Sequence, residues 1–399
     1  MEITAKRLNH VLKLAETCTP KRHIALDILK DVLVAGGRLT ATNLERAIFI
    51  DLPEAGDAAF CVPFKALAEC NQGLPPSAVV RISVEGDQLS FDSEHFHRTS
   101  HVDAIDEYPP ASGYSGLEGR QNVGPINGNG FMKALEAVVP YAAKEETRPV
   151  LTAVCITMNG KFTFVGADGS RLGLHSVDLG PHEDLGQVLL PKESALALAK
   201  VWRMADKTHT ATPEGDPSLP TNLALAMRLA SQPMLCMSVY PARKAVCFQS
   251  GEFALYSQLV DGAFPDYTKV ILGHEVLPYK VTFDAQEMQR ALRPLVAVAK
   301  DASGIIRLEW EGHTLHLSAR SEESGEAHSE ITVDTAFVQR PTKMPTVGPA
   351  KIAFDYRYLL DYLAKREGPV LMETVSPSSP ARFSHKSLET CLLMPMSVQ

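Results

Sequence analysis

Apolar residues recur at helical spacing in three separate stretches of the chain. These stretches are residues 5–17, 130–144 and 284–300. Recurrence at every third or fourth position is typical of an amphipathic helix with one buried face. Pro140 and Pro294 interrupt two of these stretches, so we expect kinked or shortened helices there.

Short segments of alternating apolar and polar residues follow each of these stretches, and each carries a tight-turn signal. The signals are Gly36-Gly37, Asn159-Gly160 and Glu311-Gly312. Asn-Gly between alternating segments is the strongest of them, because a two-residue hairpin turn needs residues that accept a positive φ. Each third of the chain is therefore expected to contain a helix followed by a β-hairpin.

A second helix is predicted in each third, at residues 63–72, 191–207 and 355–367. The order helix, hairpin, helix, strands thus occurs three times, which indicates an α+β fold of three similar domains. We expect the domains at 1–124, 125–276 and 277–399, with a polar insertion at about 205–232 in the middle one. The ends of the first two thirds, HVDAIDEYP (101–109) and QLVDGAFPDY (258–267), are also alike. The alternative is that an ordinary α+β chain produces this recurrence by chance.

Composition and charge narrow the class of protein. The chain has 399 residues, 45% of them apolar and 22% charged, with a net charge of −8. It lacks an unbroken apolar run long enough to span a bilayer and an apolar leader, so we expect a cytoplasmic protein without a membrane role. The negative charge argues against indiscriminate coating of nucleic acid, but the predicted helices are net basic and the rest is net acidic. Such a split suits a protein that holds a polyanion on one surface, although Lys and Arg are also simply good helix formers.

The sequence gives little support to catalysis. Seven cysteines form no C-x-x-C pair, and we expect small buried side chains in a reducing compartment. A phosphate-binding loop and a dinucleotide fingerprint are both missing, so no cofactor is predicted. His95, His97 and His101 share strand parity, but no fourth ligand is evident and no metal is predicted. We expect a protein that is not an enzyme.

Several segments resemble the bacterial sliding clamp, the β subunit of DNA polymerase III. The segments are 39–51, 147–179 with its Ala-Asp-Gly-Ser-Arg-Leu turn, 255–271, 352–363 and 392–398. They occur in the family's order along the whole chain apart from the insertion. The resemblance implies three DNA-clamp domains per chain and a head-to-tail homodimeric ring, with helices lining the hole and sheets outside.

The resemblance also implies the function and the partners. A clamp of this family encircles double-stranded DNA without sequence preference and tethers the DNA polymerase III catalytic subunit, so processivity comes from topology. Weak phosphate contacts suffice for a ring that slides, and a net negative charge is compatible with that. The other implied partners are the clamp loader complex and further proteins that carry a clamp-binding motif.

By the resemblance, a short partner peptide binds between the middle and third domains. Carried over by position, the peptide-binding residues are Leu151, Ala167, Gly169, Ser170, Arg171, Leu172, Pro265, Lys269, Val270, Tyr358, Leu393, Met394, Pro395 and Met396. Leu and Met offer an adaptable apolar cleft, while Arg171 and Lys269 offer donors to polar groups of the peptide. The alternative is that the Met-Pro-Met tail only covers an edge of the core. Ser170 replaces a His that is usual in the family and Lys269 replaces an Arg, so peptide preference is expected to be altered.

The remaining assignments by position concern DNA and the subunit joint. The expected DNA-binding residues are Arg22, Arg98, Lys144, Arg148 and Lys192, and the expected dimer-interface residues are His97, Arg98, Ala297 and Val298. Each of these has an ordinary alternative, a solvated charge for the basic residues and internal core for the apolar ones.

Two other functions stay open at this point. One is a specialised clamp paralogue with altered peptide or inhibitor preference, which the changes at Ser170 and Lys269 favour. The other is a repeat-built hydrolase that uses Asp168 and Ser170, with His175 nearby. A nucleophile elbow, Gly-x-Ser-x-Gly on a strand-to-helix turn, is missing, which makes the hydrolase the weaker hypothesis.

Overall fold

The structure is a computed structural model and describes residues 1–20, 26–94, 96–109, 119–145, 147–205, 233–271, 277–337 and 350–397. Within these ranges the α-helices are α1 (Ala5–Ala15), α2 (Phe64–Asn71), α3 (Gly128–Val138), α4 (Lys192–Met204), α5 (Ala285–Lys300) and α6 (Tyr356–Leu363). The strands up to the middle of the chain are β1 (Glu2–Thr4), β2 (Asp31–Ala35), β3 (Arg38–Thr42), β4 (Arg46–Asp51), β5 (Phe60–Pro63), β6 (Val79–Glu85), β7 (Gln88–Ser93), β8 (Phe96–His101), β9 (Gln121–Asn127), β10 (Ala153–Asn159), β11 (Lys161–Ala167), β12 (Arg171–Val177) and β13 (Gly186–Pro191). The later strands are β14 (Met234–Tyr240), β15 (Ala245–Ser250), β16 (Phe253–Gln258), β17 (Tyr279–Asp284), β18 (Ile305–Glu311), β19 (Thr314–Ser321), β20 (Gly325–Thr332), β21 (Asp334–Phe337), β22 (Ala350–Asp355), β23 (Pro369–Thr374), β24 (Ala381–His385) and β25 (Leu388–Leu393).

Each of these helices starts directly after a strand, without an intervening loop. Side-chain caps explain several of the abrupt starts, because the first backbone N–H groups of a helix need acceptors. Thr4 caps α1 by accepting the N–H of Arg7 at 3.2 Å, and Asp284 caps α5 by accepting two N–H groups of its first turn. Asp355 caps α6 in the same way, at 2.8 Å from the N–H of Arg357. The strand-to-helix junction is thus the repeated local unit of the fold.

The chain forms two compact units. The first contains residues 1–136, 156–162 and 177–261, and the second contains residues 137–155, 163–176 and 262–399. In the first unit, an antiparallel sheet of strand order β1-β6-β7-β8 accompanies a larger sheet of order β5-β2-β3-β4-β16-β15-β14-β9. Strands β4 and β16 pair through Ile50 opposite Phe253, so this sheet joins residues from the first and middle thirds of the sequence. Its core includes the rings of Phe131, Phe162 and Phe248.

The second unit repeats this plan. One sheet has the strand order β20-β19-β18-β22, and the other includes the run β12-β25-β24-β23-β17-β21. Strands β12 and β25 pair through Arg171 opposite Leu393, which joins residues from the middle and last thirds. The ring of Phe383 packs against the rings of Phe354 and Tyr362 in the core, with centroids 5.7 Å and 5.1 Å away.

The predicted helices and hairpins are confirmed, with ends that differ by a few residues. Helix α3 ends before Pro140, as expected, because the proline cannot continue the hydrogen-bond ladder. Of the kinked or shortened helix expected at Pro294, the shortening is wrong, since α5 continues through it to Lys300, and the kink stays a prediction. Pro294 lies on the exposed face between buried Leu292 and Leu295, and burial of these leucines offsets one missing hydrogen bond.

The remaining expectations concern the domains, the insertion, the cysteines and membrane-spanning helices. The division into domains 1–124, 125–276 and 277–399 stays a prediction, and its first boundary, between residues 124 and 125, falls inside β9. Residues 206–232 of the insertion lie outside the described residues. Six of the seven cysteines are buried, as expected, and Cys236 is half-buried. Of the described helices, none has the length and apolar character needed to cross a membrane.

Candidate functional site

A tight turn between β11 and β12 is the centre of the candidate site. The carboxylate of Asp168 accepts the backbone N–H groups of Ser170 and Arg171, both at 3.0 Å. The backbone of Gly169 has a φ of +93°, which residues with a Cβ adopt only under strain. The carbonyl of Ser170 in turn accepts the N–H of Met394 at 2.8 Å. The turn is therefore fixed on one side by its own aspartate and on the other by the C-terminal strand.

Arg171 is the most constrained side chain of the turn. Its side chain is 8% exposed, and its Nε lies 2.8 Å from Asp168 Oδ2 while Nη1 lies 2.9 Å from Asp361 Oδ2. Nη2 donates to the carbonyl of Pro140 at 3.2 Å. Burial lowers the pKa of this guanidinium, but the bonds to the two carboxylates outweigh it and hold the pKa above its ordinary value. The sequence analysis assigned the N–H donors of Arg171 to a partner peptide. In the structure these donors instead bond to groups within the protein.

Two aromatic rings cover Arg171. Its Cζ lies 4.9 Å from the ring centroid of Tyr358 and 5.5 Å from that of Tyr141. Tyr141 can lie against β12 because residue 173 is glycine: a Cβ at Gly173 would come within 2.4 Å of the ring. The guanidinium is thus held in one plane by rings as well as by ion pairs, which is a rigid arrangement.

An apolar cavity of about 220 Å³ opens beside this turn. It is lined by Arg148, Leu151, Ala167, Gly169, Ser170, Arg171, Leu172, Phe264, Pro265, Asp266, Tyr267, Val270, Pro380, Leu392 and Met394. Val270 and Met394 are exposed at the rim although they are apolar. A small apolar cleft with exposed apolar rim residues and a few polar groups is suited to binding the side chains of a short segment.

The cavity brings together nine of the fourteen residues predicted for peptide binding. These are Leu151, Ala167, Gly169, Ser170, Arg171, Leu172, Pro265, Val270 and Met394. Leu393 is fully buried in β25, and Lys269 pairs with Asp266 at 3.1 Å outside the lining. Tyr358 lies in a second, more polar cavity of about 710 Å³, which shares the Arg171 turn. Pro395 and Met396 lie in a third cavity of about 450 Å³ beside Arg307 and Lys351.

The sequence analysis missed six residues of the apolar cavity: Arg148, Phe264, Asp266, Tyr267, Pro380 and Leu392. Three of them belong to the Phe-Pro-Asp-Tyr segment, from which only Pro265 was taken. Reading that whole segment would have found them. Arg148 was assigned to DNA, but it lines both the apolar and the larger polar cavity.

The other predicted DNA and interface residues are dispersed. Arg22 lies outside the described residues, Lys144 is exposed beside the polar cavity, and Lys192 begins α4. Arg98 lies on β8 with Nη1 3.3 Å from Glu69 Oε2, and its neighbour His97 pairs with Asp92 at 2.7 Å. Ala297 is exposed and Val298 is half-buried on α5, so Ala297 is not internal core of the chain.

The hydrolase hypothesis requires a catalytic arrangement that Asp168 and His175 do not form. Asp168 uses its carboxylate on the amides of the turn and on Arg171, and Nδ1 of His175 accepts the N–H of Glu389 at 3.3 Å. These contacts stabilise a turn and a strand pair rather than activate the hydroxyl of Ser170. His95 lies outside the described residues. Among those described, no group of three or more His, Cys, Asp or Glu side chains is arranged to hold a metal ion.

Comparison with known proteins gives consistent relatives. No family model matches the chain. The chain is 25% identical over 383 residues to the beta sliding clamp of Pseudomonas aeruginosa, covering 92% of this chain and 90% of that protein. It is 26% identical over 394 residues to the beta sliding clamp of Caulobacter vibrioides, covering 94% and 92%.

Solved structures share the fold over the whole chain. The DNA polymerase III β subunit of Thermotoga maritima has a TM-score of 0.81 at 20% identity, covering 100% of this chain and 99% of that one. The β subunit from Pseudomonas aeruginosa has a TM-score of 0.81 at 22% identity, covering both chains completely. The likeness includes the segments that form the walls of the apolar cavity.

Proposed function

We propose that this chain is a member of the β sliding clamp family, and that it closes around duplex DNA as a ring and tethers a polymerase to it. Members of this family are processivity factors and not enzymes. The observation that carries the proposal is a likeness to sliding clamps that runs the full length of the chain. A tether of this kind acts by topology, so tight contacts with phosphates are unnecessary and would oppose sliding.

The apolar cavity beside the Arg171 turn is the proposed site for partner peptides. A leucine or phenylalanine side chain would enter between Leu151, Leu172 and Val270, and the flexible side chain of Met394 would adapt to it. Arg171, held by its ion pairs and by two aromatic rings, would form a rigid part of the lining of this site. The proposed partners are the DNA polymerase III catalytic subunit, the clamp loader complex and other proteins with a clamp-binding motif.

The proposed ring is a head-to-tail homodimer joined at sheet edges. Strand β8 ends one four-stranded sheet and β20 ends the other, and unpaired edge strands are templates for pairing with another chain. The charges of these edges are complementary, since β8 carries Arg98 and β20 carries Glu326 and Glu330. We assign β8 of one subunit to β20 of its partner, with exposed Ala297 near the joint.

The DNA-facing residues follow from the same proposal. Arg22, Arg98, Lys144, Arg148 and Lys192 are proposed to approach phosphates on the inner surface, each weakly. Arg148 would serve both surfaces, since it also lines the peptide cavity. Replication of chromosomal DNA places the proposed work of the protein in the cytoplasm.

The test is retention on DNA of different topology. The protein is loaded onto nicked circular DNA by a clamp loader with ATP, separated from unbound protein by gel filtration, and half of the sample is linearised. We expect retention on circles and loss from linear ends. Equal retention on both forms would reject a sliding ring. A Met394→Glu variant tests the cavity separately: because the clamp loader is proposed to bind there too, the variant should still form the homodimer yet load poorly and fail to support processive synthesis.

A specialised paralogue is the second candidate, and the position of Lys269 favours it. This side chain pairs with Asp266 and is not among the residues that line the cavity, so the cationic side chains of the lining are Arg148 and Arg171 and not the one at position 269. Ser170 adds a small hydroxyl there. Replacement variants Ser170→His and Lys269→Arg, titrated with a panel of labelled clamp-binding peptides, decide the matter: a changed rank order of peptides supports a specialised preference, and an unchanged order rejects it.

A further inference from the structure

The Arg171 turn has a counterpart in the first unit, between β3 and β4. There the side chain of Asn43 accepts the backbone N–H of Arg46 at 2.9 Å, just as Asp168 accepts the N–H of Arg171 at 3.0 Å. Arg46 also donates through Nε to a carbonyl that follows a helix, that of Thr17, at 3.2 Å. The local geometry that shapes the peptide cavity therefore occurs twice in the chain.

The strand that closes the turn is held in the same way in both places. The N–H of Gln258, at the end of β16, donates to the carbonyl of Glu45 at 2.8 Å. In the second unit, the N–H of Met394 after β25 donates to the carbonyl of Ser170 at 2.8 Å. Glu45 thus stands where Ser170 stands in the cavity, and residues after β16 stand where the tail stands.

A single 3₁₀ turn supplies the next wall in each case. In the first unit it is Asp27–Lys30, where the N–H of Leu29 donates to the carbonyl of Leu26 at 3.2 Å. In the second unit the N–H of Leu151 donates to the carbonyl of Arg148 at 2.9 Å. Leu29 and Leu151 are both buried, so Leu26 takes the place at the first site that Arg148 takes at the cavity.

The last wall is a segment that ends in tyrosine. Ile-Asp-Glu-Tyr at 105–108 follows an aspartate after β8, as Phe-Pro-Asp-Tyr at 264–267 follows one after β16. Tyr108 is buried, and its hydroxyl donates to the carbonyl of Thr40 at 3.3 Å on β3. This bond holds the segment beside the open end of the β2–β3 hairpin. At that end the 3₁₀ turn leads into β2 and the Asn43 turn follows β3.

The side chains differ between the two copies in a consistent direction. The first-unit copy exposes three large apolar residues, with Leu26 50% exposed, Leu44 44% and Ile105 42%. Acidic residues stand next to them in sequence: Asp27, Glu45, Asp106 and Glu107 are all exposed, and Asp27 pairs with Lys30. We name these seven residues the acidic apolar surface.

Leu44 marks this surface as more than an ordinary turn. It stands where the cavity has Gly169, and it takes φ of +72°. A branched apolar residue at positive φ is a strained choice, and glycine would fit without cost. The strained backbone instead carries a leucine with much of its side chain in solvent, beside an acidic neighbour.

We propose that the acidic apolar surface is a second docking site, for a positively charged peptide segment of a partner protein that carries a leucine or phenylalanine anchor. The repeated backbone supports a peptide as the occupant, and this step rests on the proposed role of the apolar cavity. Charge complementarity selects the kind of peptide, since Glu45, Asp106 and Glu107 would pair with Lys or Arg, while Asp27 already pairs with Lys30. The site differs from the apolar cavity in its acids: the lining of that cavity contains one acidic residue, Asp266, whereas this surface contains four.

The test uses the full-length protein and a fluorescein-labelled octapeptide, Lys-Arg-Leu-Lys-Leu-Phe-Arg-Lys, followed by fluorescence anisotropy. Leu44→Gly removes the anchor contact and relieves the positive φ, so the variant should fold at least as well. We expect it to weaken the peptide by about tenfold. Leu196→Ala is the matched control, because Leu196 on α4 is also 44% exposed and should have no effect.

A charge pair completes the test. Glu45→Lys should weaken binding more than Glu85→Lys, which makes the same charge change at an exposed residue of β6. Equal effects of the two charge changes, or an unchanged affinity in Leu44→Gly, would overturn the proposal. Loss of binding in Met394→Glu alone would assign the peptide to the apolar cavity and also overturn it. Retention on circular DNA is measured separately, so failure of the clamp proposal would not be mistaken for failure of this one.

Discussion

A buried carboxyl pair in the first unit makes the stability of that unit depend on pH. Asp31, at the start of β2, is 4% exposed, and its Oδ2 lies 3.7 Å from Sγ of Cys61. The backbone N–H of Asp103 donates to the carbonyl of Cys61 at 2.9 Å, which brings the second carboxyl to the same place. Burial is the main cause that raises the pKa of Asp31 to about 7, and a hydrogen bond with the carboxyl of Asp103 and its negative charge contribute to the same increase. We predict that Asp31→Asn stabilises the first unit at neutral and alkaline pH.

The sign and size follow from proton linkage. The folded pKa of Asp31 lies above its ordinary value of 3.8, so between 3.8 and about 7 the folded state holds a proton that the unfolded state has released. Stability is therefore greatest below the unfolded pKa and falls as pH rises to about 7, with no further loss above it. At about 1.4 kcal/mol per unit, the wild-type protein should lose about 3 kcal/mol between about pH 5 and about pH 8. Asn cannot ionise and keeps a donor toward Asp103, so the variant should lose almost none of this.

The assay is urea unfolding followed by the fluorescence of Trp202. This residue belongs to the first unit, is buried, and donates from Nε1 to Asn129 Oδ1 at 3.0 Å. A Trp310→Phe background removes the other tryptophan, so the signal reports the unit that contains Asp31. The control is Asp57→Asn, the same chemical change at an exposed residue of that unit. If the stability of Asp31→Asn followed pH as steeply as that of Asp57→Asn, the linkage argument would be refuted.

Three further predictions concern the apolar cavity. Arg171→Lys keeps the charge but replaces a planar set of donors by one ammonium, and we expect about 2–3 kcal/mol lower stability by urea unfolding and about tenfold weaker binding of a labelled clamp-binding peptide. Gly173→Ala places a Cβ against the ring of Tyr141, and we expect about 2 kcal/mol of destabilisation, whereas an unchanged midpoint would show that the ring moves aside. Deletion of residues 394–399 should weaken the same peptide at least about tenfold in fluorescence anisotropy while leaving the proposed homodimer assembled in analytical ultracentrifugation; normal peptide binding by the truncated chain would contradict the assignment of the tail.

Local periodicity was sufficient to predict most of the elements. The helices and the hairpin turns depend on patterns within a few residues, such as Asn159-Gly160, and the structure confirms them. The effect of Pro294 could not be read locally, because burial of its neighbours decides whether the helix continues. Tertiary packing therefore outweighed the proline in α5. A proline predicted the end of α3 correctly at Pro140.

The candidate site was predictable as a set of positions and not as a set of contacts. Its members come from segments far apart in sequence, and the resemblance named most of the correct segments. What the sequence could not supply was the use of Arg171: its partners Asp361 and Pro140 are 190 and 31 residues away. The N–H donors of Arg171 that were expected to bond to a peptide are therefore largely bonded within the protein. Arg171 lines the cavity and does not extend toward a ligand.

The two copies of the turn show how one backbone can serve two chemistries. The side chains of Asn43 and Asp168 accept backbone N–H groups and so fix both turns, and the side chains of the next two residues take no part in these bonds and can differ. In the second unit, Gly169 and Ser170 leave space, and a cavity results. In the first unit, Leu44 and Glu45 occupy these two positions, and both side chains are exposed. A leucine that served only to fill the turn would be replaced by glycine with a gain in stability, because glycine removes the strain at positive φ. Its presence at the position that Gly169 holds beside the apolar cavity is what the proposed second docking site requires.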